Sequence, residues 1–303
     1  MFERYMDTFV IDGGRPLSGK IKVDGSKNAA LPLLAACMMV DSGVTTLENV
    51  PPLKDIDVML KLLASLGAQV EYDSETQIAR IDASKLSGTV ASYELVSQMR
   101  GAFVALGPLL ARMGEATVSL PGGCSLGARP VDYHIKGLRA MKAEVTERDG
   151  YVTARRTSGC DSTVCFDRPT HTGTENIMFA ATLGEGRTTI INAACDPEVV
   201  DVANFLNAAG GKVSGAGTGQ VEVQAVSRLR PITHTVSGDR LVAGTFLFAA
   251  AATGGKVEVA GVAPDSLTMV LEKLSEMGCK VNVNDSSINL SAPKRLRASS
   301  AVT

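Results

Sequence analysis

Gly43-Val44-Thr45-Thr46-Leu47 opens a pattern that recurs three times further along the chain. A glycine followed within two or three residues by a β-rich triplet returns at Gly114, Gly186 and Gly255, at intervals of about 70 residues. Regular spacing on this scale is typical of an internal repeat. The sequence therefore predicts four copies of one structural unit.

Each copy has the same predicted order of elements. An apolar helix precedes each glycine, and such helices, hydrophobic nearly all round, are expected in the middle of a layered domain. A strand and an amphipathic helix follow, and the second helix ends in a glycine cap in units one, three and four. A strand pair closes the unit, as at the hairpin signal Asp149-Gly150. This order predicts an α/β fold. The apolar helices are expected at residues 27–40, 93–113, 174–183 and 241–253.

Composition excludes several classes of function. The chain has 303 residues, of which 45% are hydrophobic, so two domains are expected. A formal net charge of -2 provides no field for nucleic acid or an anionic membrane, and any bound phosphate needs a local cluster of Lys and Arg. No apolar stretch reaches the roughly 18 to 20 residues of a membrane span, and the N-terminus lacks the features of a secretory signal. We expect a cytoplasmic protein.

The cysteines and histidines predict no metal site. The six cysteines contain no C-x-x-C pair, and the three histidines are far apart in sequence. In a reducing compartment each cysteine is expected to be a small buried hydrophobe unless other features single it out. We predict no disulfide, no metal and no cofactor.

The second unit contains a longer loop than the other three. From its first glycine to the position of the capping glycine, here Lys142, it is roughly four residues longer, and the excess falls between Pro121 and Asp132. This loop places Cys124 and Arg129 among glycines that let the backbone fold closely around a ligand. Loop drift is the alternative to a functional loop. A cationic neighbour would favour the thiolate, whereas a general acid must begin protonated, and the sequence leaves this open.

Four further positions are candidates for binding. Lys27 and Asn28 begin the first apolar helix, where free N–H groups and an ammonium group favour an anion. Arg100 lies among apolar residues and must meet an anion, either a ligand or Glu94. Asp132 could bind a sugar or cap the next helix. The stretch Arg168-Pro169-Thr170-His171-Thr172-Gly173-Thr174 leads into the third apolar helix. Its hydroxyls, amides and one cation suit a diphosphate or a uracil edge, although its histidine could also be a hydrogen-bonded surface residue.

Together these motifs resemble one family. They are Gly25-Ser26-Lys27-Asn28-Ala29-Ala30-Leu31-Pro32, Leu120-Pro121-Gly122-Gly123-Cys124 with Gly127-Ala128-Arg129-Pro130-Val131-Asp132, and Thr174-Glu175-Asn176-Ile177-Met178. The chain is similar to the enolpyruvyl transferases that act on UDP-N-acetylglucosamine. The resemblance implies an inside-out α/β barrel of βαβαββ repeats in two domains. The domains would be residues 27–236 and residues 1–26 with 237–303.

The resemblance also implies an activity and a set of site residues. The enolpyruvyl group of phosphoenolpyruvate would move to the 3-hydroxyl of UDP-N-acetylglucosamine, with release of phosphate. Cys124 would donate a proton to the methylene carbon, while Lys27 and Arg129 would hold phosphoenolpyruvate. The nucleotide-sugar site would be lined by Asn28, Arg100, Arg129, Pro130, Val131, Asp132, Tyr133, Arg168, Pro169, Thr170 and His171. No nucleic acid or membrane partner is implied, and the oligomeric state is not predicted.

Two departures from the family pattern qualify these expectations. The family continues for more than about a hundred residues beyond the position of Thr303, so we expect an incomplete second domain and weak or absent turnover. Thr170-His171-Thr172 stands where many relatives have Ser-Val-Gly, which leaves the side-chain contacts there open. The alternatives are a noncatalytic nucleotide-sugar-binding fragment and the sister activity on shikimate 3-phosphate.

Overall fold

The computed structural model describes residue 8 and residues 10–121, 131–157 and 161–300. The chain divides into two compact units. The large unit is Asp24–Ser237, and the small unit combines Met1–Val23 with Gly238–Thr303. These bounds differ by at most three residues from the two domains that the resemblance implies.

The elements follow one another in the order that the repeat predicts. Among the described residues the strands are β1 (Ser18–Lys22), β2 (Val44–Glu48), β3 (Gln69–Asp73), β4 (Ile78–Asp82), β5 (Val90–Ala91), β6 (Glu115–Ser119), β7 (Glu144–Arg148), β8 (Tyr151–Arg155), β9 (Ser162–Cys165), β10 (Arg187–Ile191), β11 (Lys212–Ser214), β12 (Gln220–Gln224), β13 (Thr233–Thr235), β14 (Lys256–Ala260), β15 (Lys280–Asn284) and β16 (Ser287–Ser291). The α-helices are α1 (Lys27–Ala36), α2 (Lys54–Ser65), α3 (Tyr93–Val96), α4 (Leu106–Met113), α5 (Asp132–Ala140), α6 (His171–Thr182), α7 (Pro197–Ala208), α8 (Arg240–Thr253) and α9 (Thr268–Glu276). Short 3-10 helices cover Cys37–Met39, Arg100–Ala105 and Pro264–Leu267.

The described residues form four sheets of four strands, and the four share one topology. Their orders are β13-β2-β4-β3, β5-β6-β8-β7 and β9-β10-β12-β11 in the large unit, and β1-β14-β16-β15 in the small unit. The first pair of each sheet is parallel, and the other two pairs are antiparallel. β13, the last strand of the large unit, pairs with β2 in the sheet of the first repeat. The end of the large unit therefore contacts its beginning. The predicted α/β fold is confirmed.

The turns and helix ends behave as the repeat predicts. Gly67, Gly210 and Gly278 adopt positive φ angles of 102°, 101° and 95° after their helices. Lys142, at the equivalent position of the second unit, also adopts a positive φ of 63°. The Asp149-Gly150 turn, with φ values of 52° and 79°, joins β7 to β8 as a hairpin.

The core of the large unit is built around its apolar helices. α1 is buried from Ala29 to Ala36, and α6 is buried from Gly173 to Thr182. These two helices contact each other, and α4 packs against α6. Burial all round, expected from their composition, is therefore confirmed for α1 and α6.

The helix expected at 93–113 is instead broken into α3, a 3-10 segment and α4. Met99 is extended, with φ -147° and ψ 112°, and the 3-10 helix begins at the next residue. Gly101 lets this segment approach α1, since a Cβ there would lie 2.8 Å from Leu31 Cδ1. Close packing onto α1 thus replaces one continuous helix.

The fourth apolar helix also differs from the expectation. One face of α8 is buried through residues such as Leu247, but Leu241 and Phe248 are 55% and 48% exposed. In the large unit the apolar helix α6 packs against both α1 and α4. Among the described residues of the small unit, α8 packs on its own sheet, on α9 and on the 3-10 helix before α9. Apolar composition alone did not ensure burial.

Cys37 and Cys279 are buried as expected, but Cys165 and Cys195 are exposed. Among the helices that the structure describes, none has both the length and the apolar character needed to cross a membrane.

Candidate functional site

A cavity of about 410 Å³ opens in the large unit where α1 and α6 begin. We call it the α1–α6 cavity. Helix N-termini present N–H groups without intrahelical partners and a positive dipole end, so a cavity between two of them favours an anionic ligand. It is lined by Lys27, Asn28, Leu31, Pro32, Asp55, Arg100, Gly101, Phe103, Val104, Val131, His134, His171 and Thr172.

Lys27 and Asn28 are the first two residues of α1 and lie on the cavity wall. The ammonium group of Lys27 forms an ion pair with Asp55, with Nζ 3.0 Å from Oδ2. Asp55 belongs to the first turn of α2, where a carboxylate is favoured by the helix dipole. Both side chains are partly exposed, so the pair is in contact with solvent and accessible to a bound anion.

His171, the first residue of α6, forms a second ion pair. Its Nε2 lies 3.0 Å from Oε1 of Glu175, whose side chain is fully buried. Burial alone would lower the pKa of His171, but attraction to Glu175 and the hydrogen bond between them, with Asp196 and Glu198 nearby, raise it to about 9. His171 is therefore a cation at neutral pH, and it adds positive charge to the cavity wall.

The same histidine belongs to the one group among the described residues that could hold a metal ion. Ligand atoms of His171, Asp196 and Glu198 all lie within 4.8 Å of one another. A protonated imidazole has no lone pair to offer a metal. With the pKa of His171 raised, the geometry favours a cationic histidine surrounded by carboxylates over a metal centre.

A chain of buried hydrogen bonds reaches the cavity from the core. Asn176 accepts a bond from the N–H of Gly107 at 2.6 Å and donates to the carbonyl of Phe103 at 3.2 Å. Its amide nitrogen also lies 2.7 Å from Nδ1 of His134. Nε2 of His134 lies 3.2 Å from Oγ1 of Thr172, which is exposed on the cavity wall.

Arg100 is half-buried, begins the 3-10 segment and lines the cavity. Its charge, together with burial as the larger cause, lowers the pKa of His134 to about 3. The cavity thus combines three basic side chains, Lys27, Arg100 and the protonated His171, with one neutral histidine, and carboxylates pair with Lys27 and His171. This arrangement suits a small, multiply charged anion.

The structure brings together only part of the predicted site. Lys27, Asn28, Arg100, Val131 and His171 line the cavity. Other predicted residues that the structure describes do not line it: Asp132, Tyr133, Arg168, Pro169 and Thr170. Cys124, Arg129 and Pro130 lie outside the described residues.

Three of those residues have positions that the structure defines. Asp132 is the first residue of α5 and Val131 is its N-cap, with no side-chain cap hydrogen bond, so of the two roles considered for Asp132 the structure does not show the capping one. The ring of Tyr133 packs edge-on against Phe166, with centroids 6.0 Å apart. Arg168 is exposed ahead of α6.

Sequence reasoning missed Asp55 and His134, whereas Thr172 belongs to the predicted binding stretch at residues 168–174. Asp55 could have been found from its place in the first turn of a helix that follows a strand of the same repeat as Lys27. His134 directly follows the predicted Asp132 and Tyr133, but nothing in the sequence indicates that Asn176, 42 residues away, lies beside it.

Comparison with known proteins places this fold. The family described as EPSP synthase (3-phosphoshikimate 1-carboxyvinyltransferase) matches residues 11–301. The crystal structure of the enolpyruvyl transferase NikO from Streptomyces tendae superimposes with a TM-score of 0.80 at 20% identity, covering 94% of this chain and 68% of that one. EPSP synthase from Acinetobacter baumannii gives a TM-score of 0.71 at 19% identity, covering 93% and 66%. The fold is that of the enolpyruvyl transferases.

Relatives of higher sequence identity indicate which group of enolpyruvyl transferases the chain resembles most. UDP-N-acetylglucosamine 1-carboxyvinyltransferase of Myxococcus xanthus is 44% identical over 98% of this chain and 71% of its own length. The proteins of the same name from Dichelobacter nodosus and Coxiella burnetii are both 45% identical over 98% of this chain, and over 71% and 69% of their own lengths. The chain therefore belongs to the EPSP synthase family, in its UDP-N-acetylglucosamine 1-carboxyvinyltransferase branch, and the resemblance noted from the motifs is confirmed.

Proposed function

We propose that this chain transfers the enolpyruvyl group of phosphoenolpyruvate to the 3-hydroxyl of UDP-N-acetylglucosamine and releases phosphate. The observation that carries the proposal is the 44–45% identity, across 98% of the chain, to relatives named for this reaction. The reaction would be the first committed step of peptidoglycan precursor synthesis, and we place it in the cytoplasm.

The chemistry is an addition followed by an elimination. A base takes the proton of the sugar 3-hydroxyl as its oxygen forms a bond to C2 of phosphoenolpyruvate, while an acid delivers a proton to C3. Loss of a proton from C3 then re-forms the double bond as the C2–O bond to phosphate breaks. We assign the donated proton to Cys124, by its place in the glycine-rich loop, and the binding of phosphoenolpyruvate to Lys27 and Arg129. Protonating a carbon requires an acid placed over its face, and a triply charged anion requires several cations.

The described geometry supports the binding half of this proposal. Lys27, Arg100 and His171 place three cationic groups around the α1–α6 cavity. Two helix N-termini add partial positive charge at the same place. We assign the nucleotide-sugar site to this cavity, with Asn28 and Val131 on its wall, and extend it to Pro130, Asp132, Tyr133 and Arg168 to Thr170.

Phosphate release by the purified 303-residue chain tests the reaction. Any phosphate release, even at a low rate, should require both phosphoenolpyruvate and UDP-N-acetylglucosamine, and mass spectrometry should detect the enolpyruvyl ether. Shikimate 3-phosphate in place of the nucleotide sugar is the matched control. Phosphate release from phosphoenolpyruvate in the presence of shikimate 3-phosphate, but not of UDP-N-acetylglucosamine, would identify the sister activity. Binding of UDP-N-acetylglucosamine without phosphate release would favour the noncatalytic binding protein, and loss of both would refute the proposal.

The assignment of Cys124 has its own test. An epoxide phosphonate of the fosfomycin type should alkylate Cys124 and leave the exposed thiols Cys165 and Cys195 unmodified. These two cysteines are useful internal controls because solvent reaches both. Equal alkylation of all three thiols would argue against an activated Cys124.

A further inference from the structure

The orientation of the Asn176 side chain is fixed by two backbone groups. The N–H of Gly107 can only donate, so the atom of Asn176 that it meets at 2.6 Å is the carbonyl oxygen Oδ1. The carbonyl of Phe103 can only accept, so its partner at 3.2 Å is the amide nitrogen Nδ2. Asn176 is fully buried, and water does not compete for these bonds.

This orientation determines which nitrogen of His134 carries the proton. The Nδ2 amide group of Asn176 lies 2.7 Å from Nδ1 of His134 and can only donate to it. Nδ1 must therefore be the unprotonated nitrogen, and a neutral imidazole then carries its hydrogen on Nε2. Burial and the charge of Arg100 lower the pKa of His134 to about 3, so the ring is neutral at neutral pH.

The proton on Nε2 in turn directs the hydroxyl of Thr172. Nε2 lies 3.2 Å from Oγ1 of Thr172, and as a donor it occupies a lone pair of that oxygen. The hydroxyl hydrogen of Thr172 is then free to point elsewhere. Thr172 is the second residue of α6, exposed on the wall of the α1–α6 cavity, so the open direction for that hydrogen is towards a ligand.

We infer that Asn176 and His134 are positioning residues that hold the Thr172 hydroxyl as a hydrogen-bond donor to the anionic part of the bound nucleotide sugar. This inference rests on the proposed function for the identity of the ligand. The opposite tautomer would make Nε2 an acceptor, and Thr172 would donate to the protein instead of to the ligand.

The surroundings explain why such positioning matters. A threonine hydroxyl rotates freely unless a neighbour selects its direction, and an unselected hydroxyl presents a lone pair to an anion as readily as a hydrogen. The ring of His134 is itself held, edge-on, against Phe103 with centroids 5.1 Å apart. The network therefore connects a rigid part of the core to one hydroxyl on the cavity wall.

Two variants of Thr172 test the role of its hydroxyl. Thr172→Val removes the hydroxyl at almost constant volume and should raise the Kd and KM for UDP-N-acetylglucosamine by roughly tenfold to a hundredfold, with kcat nearly unchanged. Thr172→Ser keeps the hydroxyl and should bind within about threefold of the wild type. Wild-type affinity in Thr172→Val, or equal losses in both variants, would overturn the inference.

The tautomer is measured on the free protein, without any ligand. In a chain labelled with ¹⁵N histidine, the two ring nitrogens of His134 should give the pattern of a neutral ring protonated on Nε2. Asn176→Asp offers only acceptor atoms, so it should move the proton to Nδ1 and weaken binding of UDP-N-acetylglucosamine as far as Thr172→Val does. Adding Thr172→Val to Asn176→Asp should then cost little more.

The outcomes separate this inference from the proposed function. A wild-type His134 protonated on Nδ1 would overturn the inference even if UDP-N-acetylglucosamine binds well. Wild-type protein that fails to bind UDP-N-acetylglucosamine would refute the proposed function, while the ¹⁵N pattern would still decide the tautomer. If Asn176→Asp does not fold, the Thr172 pair and the wild-type spectrum still decide between the two results.

Discussion

Gly107→Ala is the substitution for which the structure predicts the clearest loss of stability. Gly107 is the second residue of α4, and its N–H, which has no partner within the helix, is bound by Oδ1 of Asn176. A Cβ at this position would lie 2.4 Å from the backbone oxygen of Asn176 and 2.5 Å from Oδ1. Neither contact is tolerable, because one atom belongs to the backbone of α6 and the other to a buried amide.

The magnitude follows from three effects. Forcing α4 and α6 apart costs about 1 to 3 kcal/mol, as overpacking of a core generally does. Losing the buried bond to Asn176 costs about 1 to 3 kcal/mol more, because Oδ1 is left without its donor. Alanine regains up to about 1 kcal/mol through its helix propensity. We expect Gly107→Ala to lower the free energy of unfolding by roughly 1 to 6 kcal/mol.

Urea unfolding followed by circular dichroism measures this difference. Gly219→Ala is the matched control, since a Cβ there meets no atom within 4 Å and the backbone is outside the left-handed region. That variant should change the free energy of unfolding by less than about 0.5 kcal/mol. If Gly107→Ala unfolds within the same range as its control, then the close approach of α4 to Asn176 does not constrain this core and the reasoning fails.

Three further predictions concern the ends of helices. The Asp239→Ala variant should lose about 1 kcal/mol of stability in urea unfolding, because Asp239 caps α8 by accepting bonds from two backbone amides; no loss would contradict the cap. The pKa of His171 is raised to about 9 from about 6.5 when unfolded, so its contribution to stability is complete below pH 6.5 and is lost as pH rises through 9. As the pH is raised from 6.5 to 9, the urea concentration at the unfolding midpoint should fall for the wild type. It should not fall for the double variant His171→Asn with Glu175→Gln. Lys27→Met should weaken the binding of phosphoenolpyruvate, measured by calorimetry, by roughly tenfold or more, and unchanged affinity would remove Lys27 from the site.

The parts of the fold that depend on residues close together in sequence could be predicted. The recurring glycine followed by a β-rich triplet indicated four copies of one unit, and the described residues form four sheets that share one topology. The caps at Gly67, Gly210 and Gly278 follow from the conformational freedom of glycine, which depends on no distant contact. Lys27 and His171 could be placed at helix starts for the same reason, because a cap and the onset of an apolar run are both local.

What the sequence did not disclose depends on contacts between distant segments. The break at Met99 arises from the approach of Gly101 to Leu31, and no propensity at 93–113 encodes that approach. Asn176 and His134 meet only because two repeats pack together. Periodicity also cannot say what covers an apolar helix, which is why α8 was expected to be buried all round.

The small unit is assembled from both sides of the large one along the chain. β1 pairs in parallel with β14, and the N–H of Leu17 bonds to Oγ1 of Thr253, 236 residues away. On a ribosome that adds about 5 to 20 residues each second, β1 waits roughly 10 to 50 seconds for its partner strand. The intervening segment can complete its three repeats in that time. Synthesis from the N-terminus thus imposes an order of folding in which the large unit comes before the small one. Until β14 is made, the unpaired edge of β1 can pair with other chains, and chaperones would have to cover it.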